Sequence, residues 1–418
     1  MTLSPDNLGP ASALPALHAV QPSAVTRGAL FIVAVCAIGF AFDLSEISFG
    51  AALSGVFSTA PYLVPPGQLS WLLASIYLGA ILGPPFMGSF ADRRGRRAAM
   101  AVTLAFLAVT SFLSAASPGI VALSVIRGFS GIALGAYPPL MISYLTDTLP
   151  ARARGRLIMI TVAIAYLGPP ATIFLMRWLT SLTPLGIPGW RWVIGIDGLG
   201  ALVAGVLFLS MPESASWCKA KAQVLQPIAQ SSRPLGLVMA LSFLAPWATV
   251  SFPLLSAAFL VARGLTLSTT LLYVGISTFG PFAGALLVAP VADSIERRTS
   301  LFVCALGMAA AAIGFYLSDQ AAWLMLTSFA FNLCVALYMP TLTTYTAELF
   351  SARTRGRATS WAWSVNRAAA AAVPLLMLPL LRRHGELPVF AIIVATLLAT
   401  VLVILVCGPR GNAAQPVG

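Results

Sequence analysis

Gly88-Ser89-Phe90-Ala91-Asp92-Arg93-Arg94-Gly95-Arg96-Arg97 is a short basic stretch held between two apolar runs. A weaker copy, Ala292-Asp293-Ser294-Ile295-Glu296-Arg297-Arg298, stands 201 residues further on. The agreement continues at that offset. Tyr137, Pro139, Tyr144, Asp147, Arg152, Arg154, Gly155 and Arg156 are answered by Tyr338, Pro340, Tyr345, Glu348, Arg353, Arg355, Gly356 and Arg357. Matches this dense at one offset mark a duplicated unit.

Around these two loops the chain is 59% hydrophobic and 9% charged, with a mean hydropathy of +0.91. A soluble domain carries about 25% charged residues. So little charge cannot cover a protein of this size in water, so its solvent is lipid. A soluble enzyme, a secreted disulfide scaffold and a disordered tail protein are excluded. A spanning helix needs about 20 apolar residues, and 418 residues leave room for twelve. Apolar runs read against Gly, Pro and charge give 28–57, 68–91, 97–116, 119–149, 155–177, 190–211, 234–262, 268–292, 299–317, 320–349, 357–380 and 386–407. All are expected to be helices, because an open strand edge is not viable in hydrocarbon.

With the N-terminus inside and the spans alternating, 17 of the 24 Lys and Arg residues fall on the inner side and 5 on the outer. Two, Arg127 and Arg367, remain in the membrane. That bias predicts both termini in the cytoplasm. The expected organisation is a disordered tail over 1–27, a six-helix bundle over 28–211 and a basic linker over 212–233. A second bundle over 234–407 and a tail over 408–418 complete it. Residues 1–26 lack the layout of a signal peptide. The net charge of +12 lies in short clusters between apolar runs, which argues against nucleic acid as a partner. Five cysteines show no metal spacing, HExxH is absent, and there is no GxxxxGK[ST] loop for ATP. No cofactor, metal or enzymatic activity is expected.

The loop Gly88–Arg97 resembles the loop 2–3 signature of the major facilitator superfamily at every specified position. Gly189-Trp190-Arg191-Trp192, Pro212-Glu213-Ser214 and Tyr345-Thr346-Ala347-Glu348-Leu349-Phe350 resemble its sugar-porter and metabolite–proton symporter branches. The chain departs from them where PESPRWL reads Pro212-Glu213-Ser214-Ala215-Ser216-Trp217, and in its degenerate second loop. The expected fold is an all-α membrane protein of twelve transmembrane helices in two parallel six-helix repeats. Parallel repeats place a substrate site between them near the midplane.

Charge at bilayer depth costs roughly 2.5–3.5 kcal/mol on insertion scales and marks function by default. Five such residues occur. Asp43 and Glu46 are one turn apart on one helix face. Two carboxylates that close cannot both ionise cheaply in low dielectric, which makes them the expected proton carriers. The pair is similar to the DxxD signature of aromatic-acid–proton symporters, with Glu second. Arg127 heads Arg127-Gly128-Phe129-Ser130-Gly131, where glycines admit a close backbone or ligand. It is either a salt-bridge partner of the helix-1 acids or a substrate contact. Arg367 follows Trp361, Trp363 and Asn366 and is similar in position to the helix-11 arginine of organic-anion transporters. A ring and a guanidinium fork four residues apart suit a planar carboxylate. By repeat, Arg367 answers Tyr166 and Glu46 answers Trp247, so both aromatics are candidates for the cavity wall. Asn332, the repeat partner of Gly131, is a further candidate. Asp197 is expected near the outer interface, paired to Arg191.

A cytoplasmic gate is expected at Gly88, Asp92, Arg93, Gly95, Arg96 and Arg97, with Asp147 and Arg154. Its second-half members are Arg297, Arg298, Glu348 and Arg355. Their ion pairs would lock the halves together in one state and break in the other. The function these features predict is proton-coupled symport of a small organic anion, an aromatic or heterocyclic carboxylate. The expected partners are protons and lipid, and the protein is expected to be a monomer in a bacterial inner membrane. Drug or metabolite efflux by antiport, sugar transport and solute sensing without flux are the alternatives.

Overall fold

A computed structural model describes residues 27–150, 153–214, 232–288, 296–350 and 352–409. Twelve of its helices are long and apolar enough to cross a membrane. The first six are α1 Arg27–Val56, α2 Pro66–Arg94, α3 Arg96–Ala115, α4 Ile120–Thr148, α5 Arg154–Leu182 and α6 Gly189–Leu209. The last six are α7 Leu235–Ala262, α8 Leu267–Leu287, α9 Arg297–Tyr316, α10 Ala321–Thr346, α11 Trp361–His384 and α12 Glu386–Cys407. All regular structure among the described residues is helical. The expected tails and most of the linker lie outside the described residues. Apolar side chains such as Leu82, Phe86, Val121, Phe129, Leu402 and Val406 are exposed. That surface suits lipid rather than water.

The sequence reading took each span as one continuous helix, and three are interrupted. α5 breaks between Ala165 and Gly168, α7 after Leu244 and after Thr249, and α8 between Ser277 and Gly280. Pro169, Pro246 and Pro281 stand at or just after these breaks, where a missing N–H and a ring clash disfavour continuous helix. Two ends also run further than expected. α5 reaches Leu182 past Arg177, and α11 reaches His384 past Arg382 and Arg383. The arginines were read as boundaries, but a long cationic side chain can leave a helix flank for a polar partner. Arg177 does so by donating to the Ser268 carbonyl of α8 at 3.1 Å.

α2 and α4 lie backbone to backbone. A Cβ on Gly131 would overlap the Ile76 carbonyl, and one on Gly135 the Ala80 carbonyl. This small-residue seam draws α4 inward and carries Arg127 into the protein. The two sets of six meet as α1 against the far half of α7, α2 against α11 and α5 against α8. At the end opposite the basic loops, Gly55 packs onto Ala257, Leu267 and Thr270, so α1 closes on α7 and α8.

The sequence repeat recurs as a repeat of contacts at the basic end. Arg97, at the start of α3, donates to the Met211 carbonyl just past α6 at 3.1 Å. Arg298, at the start of α9, donates to the Leu405 carbonyl near the end of α12 at 2.8 Å. Tyr144 of α4 reaches the Pro212 carbonyl at 2.6 Å, and Tyr345 of α10 the Pro409 carbonyl at 3.2 Å. These bonds engage carbonyls in the last turn of α12 and just beyond the ends of α6 and α12.

Candidate substrate and proton site

Asp43 and Glu46 share a face of α1, about 4.5 Å of rise apart, yet they meet different partners. Glu46 is fully buried, and its Oε1 accepts from Arg127 Nη1 at 3.0 Å. Arg127 Nη2 also donates to the Glu46 main-chain oxygen at 3.1 Å. Arg127 therefore clamps both the side chain and the backbone of α1. Asp43 is equally buried, but neither of its carboxyl oxygens has a hydrogen-bond partner. Of the charged groups around it Arg367 acts on it most strongly, and the Glu46 carboxylate acts in the opposite sense.

Arg367 is buried on α11, with its guanidinium 4.3 Å from the Trp363 ring centre. It forms no ion pair among the described residues, and its Nε has no hydrogen-bond partner. Its other electrostatic neighbour is Tyr77 of α2, which lies within the fields of both Arg367 and Arg127. The α2–α11 contact brings these groups together. Trp361, two residues before Trp363 and so across the helix, is exposed.

Asp197 corrects the sequence reading. Arg191 donates to the Ala115 carbonyl at 2.6 Å and stacks over Trp190 at 4.5 Å. Asp197 is buried, its Oδ2 has no partner, and its electrostatic neighbours are Glu46, Asp43 and Arg127. Residues six apart point in different directions on a helix, so Arg191 and Asp197 cannot share a face. Asp197 joins the central cluster instead. Tyr77 had not been singled out in the sequence; an apolar stretch of α2 hides it.

Tyr166 sits at the break of α5, and Trp247 in the short middle piece of α7. The indole Nε1 atoms of Trp247 and Trp363 are buried without a hydrogen-bond partner. Asn366 donates to the Ser242 carbonyl at 3.2 Å and ties α11 to α7. Asn332 donates to the Ser328 carbonyl of its own helix at 2.9 Å and packs against Gly280 of α8. Its amide N–H is thus engaged locally.

At the basic end, Arg96 ion-pairs with Asp147 and also donates to the Ser143 carbonyl at 3.0 Å. Ser214 Oγ donates to Asp147 at 2.6 Å. Glu213 Oε1 accepts the main-chain N–H groups of Arg96 at 2.9 Å, Arg97 at 3.1 Å and Ser214 at 2.9 Å. A carboxylate on the first amides of α3 is favoured by unpaired donors and by the helix dipole. Gly95, at φ +99°, makes the turn, and a Cβ there would meet the Glu213 carboxylate. Glu213 had been noted only as part of a resemblance, because its partners are more than a hundred residues away. Asp92 and Arg93 are exposed, Gly88 faces open space, and Arg154 is half-buried with its Nε unpartnered. The side chains of Glu348 and Arg355 lie outside the described residues, and Arg297 and Arg298 begin α9. The bonds of Arg96, Asp147 and Glu213 described above all lie within the first half.

The family model described as Major Facilitator Superfamily matches residues 23–374. The chain is 25% identical over 430 residues to the niacin transporter NiaP of Acinetobacter baylyi, covering 92% of this chain and 95% of that one. It is 24% identical to the putative metabolite transport protein YyaJ of Bacillus subtilis, covering 94% of each. The crystal structure of a D-xylose-proton symporter superposes with a TM-score of 0.76 at 18% identity, covering 92% of this chain and 99% of that one.

Proposed function

The chain belongs to the major facilitator superfamily and is a multi-pass membrane transporter, not an enzyme, and from that premise we propose that it is a proton-coupled symporter of a small organic anion. The substrate is an aromatic or heterocyclic carboxylate, moved by alternating access across a bacterial inner membrane. The Lys and Arg bias supports basic loops and both ends in the cytoplasm.

One observation carries this reading: Arg127 is held by Glu46, whereas Arg367 is buried without an ion pair among the described residues and acts through its field on Asp43, whose carboxyl oxygens bond nothing. Asp43 as an anion competes with a substrate carboxylate for the field of Arg367. Asp43 carrying a proton is neutral and no longer competes. A proton therefore favours anion binding at Arg367, and by linkage the anion favours the proton to the same degree. The planar fork of Arg367 takes both oxygens of a carboxylate. Tyr166, Trp247, Trp363 and Asn332 are the proposed wall of the site. Asp147, Arg96 and Arg97, with Asp92, Arg93, Arg154, Arg297, Arg298, Glu348 and Arg355, are the proposed gate, to which Glu213 is added. The name of NiaP supports a ring carboxylate, since niacin is a pyridine carboxylic acid.

Proteoliposomes with an imposed pH gradient test the proposal with a panel of carboxylates, sugars and cationic drugs. A ring carboxylate should accumulate when the outside is acidic. Accumulation of a sugar, or proton-driven extrusion of a cation, with no carboxylate moved, would overturn it.

A further inference from the structure

The carboxylate grip at Arg367 leaves a second set of polar atoms unused. The indole Nε1 of Trp247 and that of Trp363 are both buried with no hydrogen-bond partner. An indole N–H can only donate, and buried donors in proteins are nearly always paired. Both indoles belong to the α7–α11 seam that carries Arg367. Trp363 is stacked on its guanidinium at 4.3 Å. Trp247 lies on α7, in the piece Pro246–Thr249 that packs against α11. The Asn366–Ser242 bond sets the register between the two helices. It places Trp247 roughly a turn to one side of Arg367 in depth and Trp363 roughly a turn to the other. Other tryptophans of the chain do find partners: Trp190 donates to Tyr62 Oη at 3.0 Å and Trp192 to the Pro184 carbonyl at 3.2 Å. Among the described residues, Trp247 and Trp363 are the two with a buried indole N–H that lacks a partner.

Resting on the anion reading above, we infer that the substrate is a heteroaromatic carboxylate whose ring carries a hydrogen-bond acceptor, read by the indole N–H groups of Trp247 and Trp363 while Arg367 holds the carboxylate. An indole N–H left dry rewards a ligand that brings an acceptor to it. A carbocyclic acid of the same shape leaves an indole N–H dry and unpaired, and a site built to bond a polar group discriminates against the analogue that lacks it. Arg367 supplies the shared term for both acids, so the indoles alone decide between them.

The test is proton-driven uptake in proteoliposomes, with pyridine, pyrimidine and pyrazine monocarboxylates each compared with benzoate. The best heteroaromatic acid should exceed benzoate in kcat/KM by roughly tenfold or more, the equivalent of one hydrogen bond to a buried group. Trp247→Phe or Trp363→Phe should bring that ratio down towards one, the heteroaromatic acid losing more than benzoate. Benzoate taken up as well as every heteroaromatic acid overturns the inference and leaves the anion reading standing. A ratio unchanged in both Phe variants also overturns it. A sugar or a cation moved in place of any carboxylate defeats both.

Discussion

At the basic end the two halves do the same work with the same residues. Arg97 and Arg298 each cap a carbonyl at the end of the sixth helix of their half. Tyr144 and Tyr345 each bond a proline carbonyl just beyond it. At mid-depth the halves part. Asp43, Glu46, Arg127 and Asp197 of the first half face Leu244, Trp247, Ser328 and Leu398 at the offset of 201. Arg367 of the second half stands where the first has Tyr166. Duplication kept the bonds that close helix ends and discarded symmetry where the proposed site lies. The acids lie on one side of the proposed cleft. The free arginine and the unpaired indoles lie on the other.

Breaking the two arginines separates these sides most sharply. Arg127 holds a buried carboxylate, so Arg127→Ala leaves Glu46 charged and alone, a loss of about 3–5 kcal/mol. That variant should melt well below the parent in a thermal shift assay. Arg367 bonds no acid directly. Arg367→Ala should therefore melt close to the parent, yet lose carboxylate uptake by more than roughly a hundredfold, as loss of a desolvated bidentate pair implies. Arg367→Lys should recover little, because an ammonium lacks the fork. Equal melting losses in both Ala variants would erase the distinction.

The helix-1 acids come next. Asp43→Asn should abolish uphill accumulation while counterflow exchange partly survives, because a neutral side chain no longer competes for Arg367. Glu46→Gln should impair both processes, since it also frees Arg127. Asp197 changes the charge count as well. Three acids and two arginines sum to minus one when all are ionised, so a monocarboxylate enters a neutral site only with two protons. Uptake should then carry one positive charge inward and speed up under a clamped inside-negative potential. Potential-independent uptake would reduce the count to one proton.

How far the sequence reached follows from the same contrast. The twelve spans were legible because lipid leaves long apolar runs between charges. The duplicated basic loops were legible because Arg97 and Arg298 keep their places. Asp197 was misplaced because its distance from Trp190 was weighed and its helix phase was not. Glu213 was legible only as part of a motif, since the amides it caps belong to another helix. The breaks in α5, α7 and α8 were missed because Pro is common in membrane helices, and only neighbouring helices decide whether one bends or breaks.

Glu213 sharpens the comparison at the gate. Its carboxylate takes two main-chain N–H groups at the start of α3 and that of Ser214 beside it. In the second half residues 410–418 lie outside the described residues, and the Arg298 and Tyr345 bonds are the repeat contacts that remain. Glu213→Gln keeps the shape and removes the charge, weakening bonds of the kind worth about 1.5–3 kcal/mol. Maximal transport rate should fall with little change in KM, because the residue sits at the rim. A change in KM alone would remove Glu213 from the gate.

The smallest expected effect tests the symmetry itself. If Tyr144 and Tyr345 are the same device in two copies, removing either hydroxyl should cost stability and leave transport chemistry alone. A neutral hydrogen bond contributes about 1 kcal/mol net. The Tyr144 bond to Pro212 is 2.6 Å long and the Tyr345 bond to Pro409 is 3.2 Å. Tyr144→Phe should therefore lower the melting temperature slightly more than Tyr345→Phe. The double variant should be additive, since sites in separate halves share no partner. Neither should alter KM or the dependence of uptake on the pH gradient. A non-additive double variant, or a Tyr345→Phe protein that melts normally but transports slowly, would show that the second copy has been recruited into the moving part of the cycle and is no longer only a clasp on a helix end.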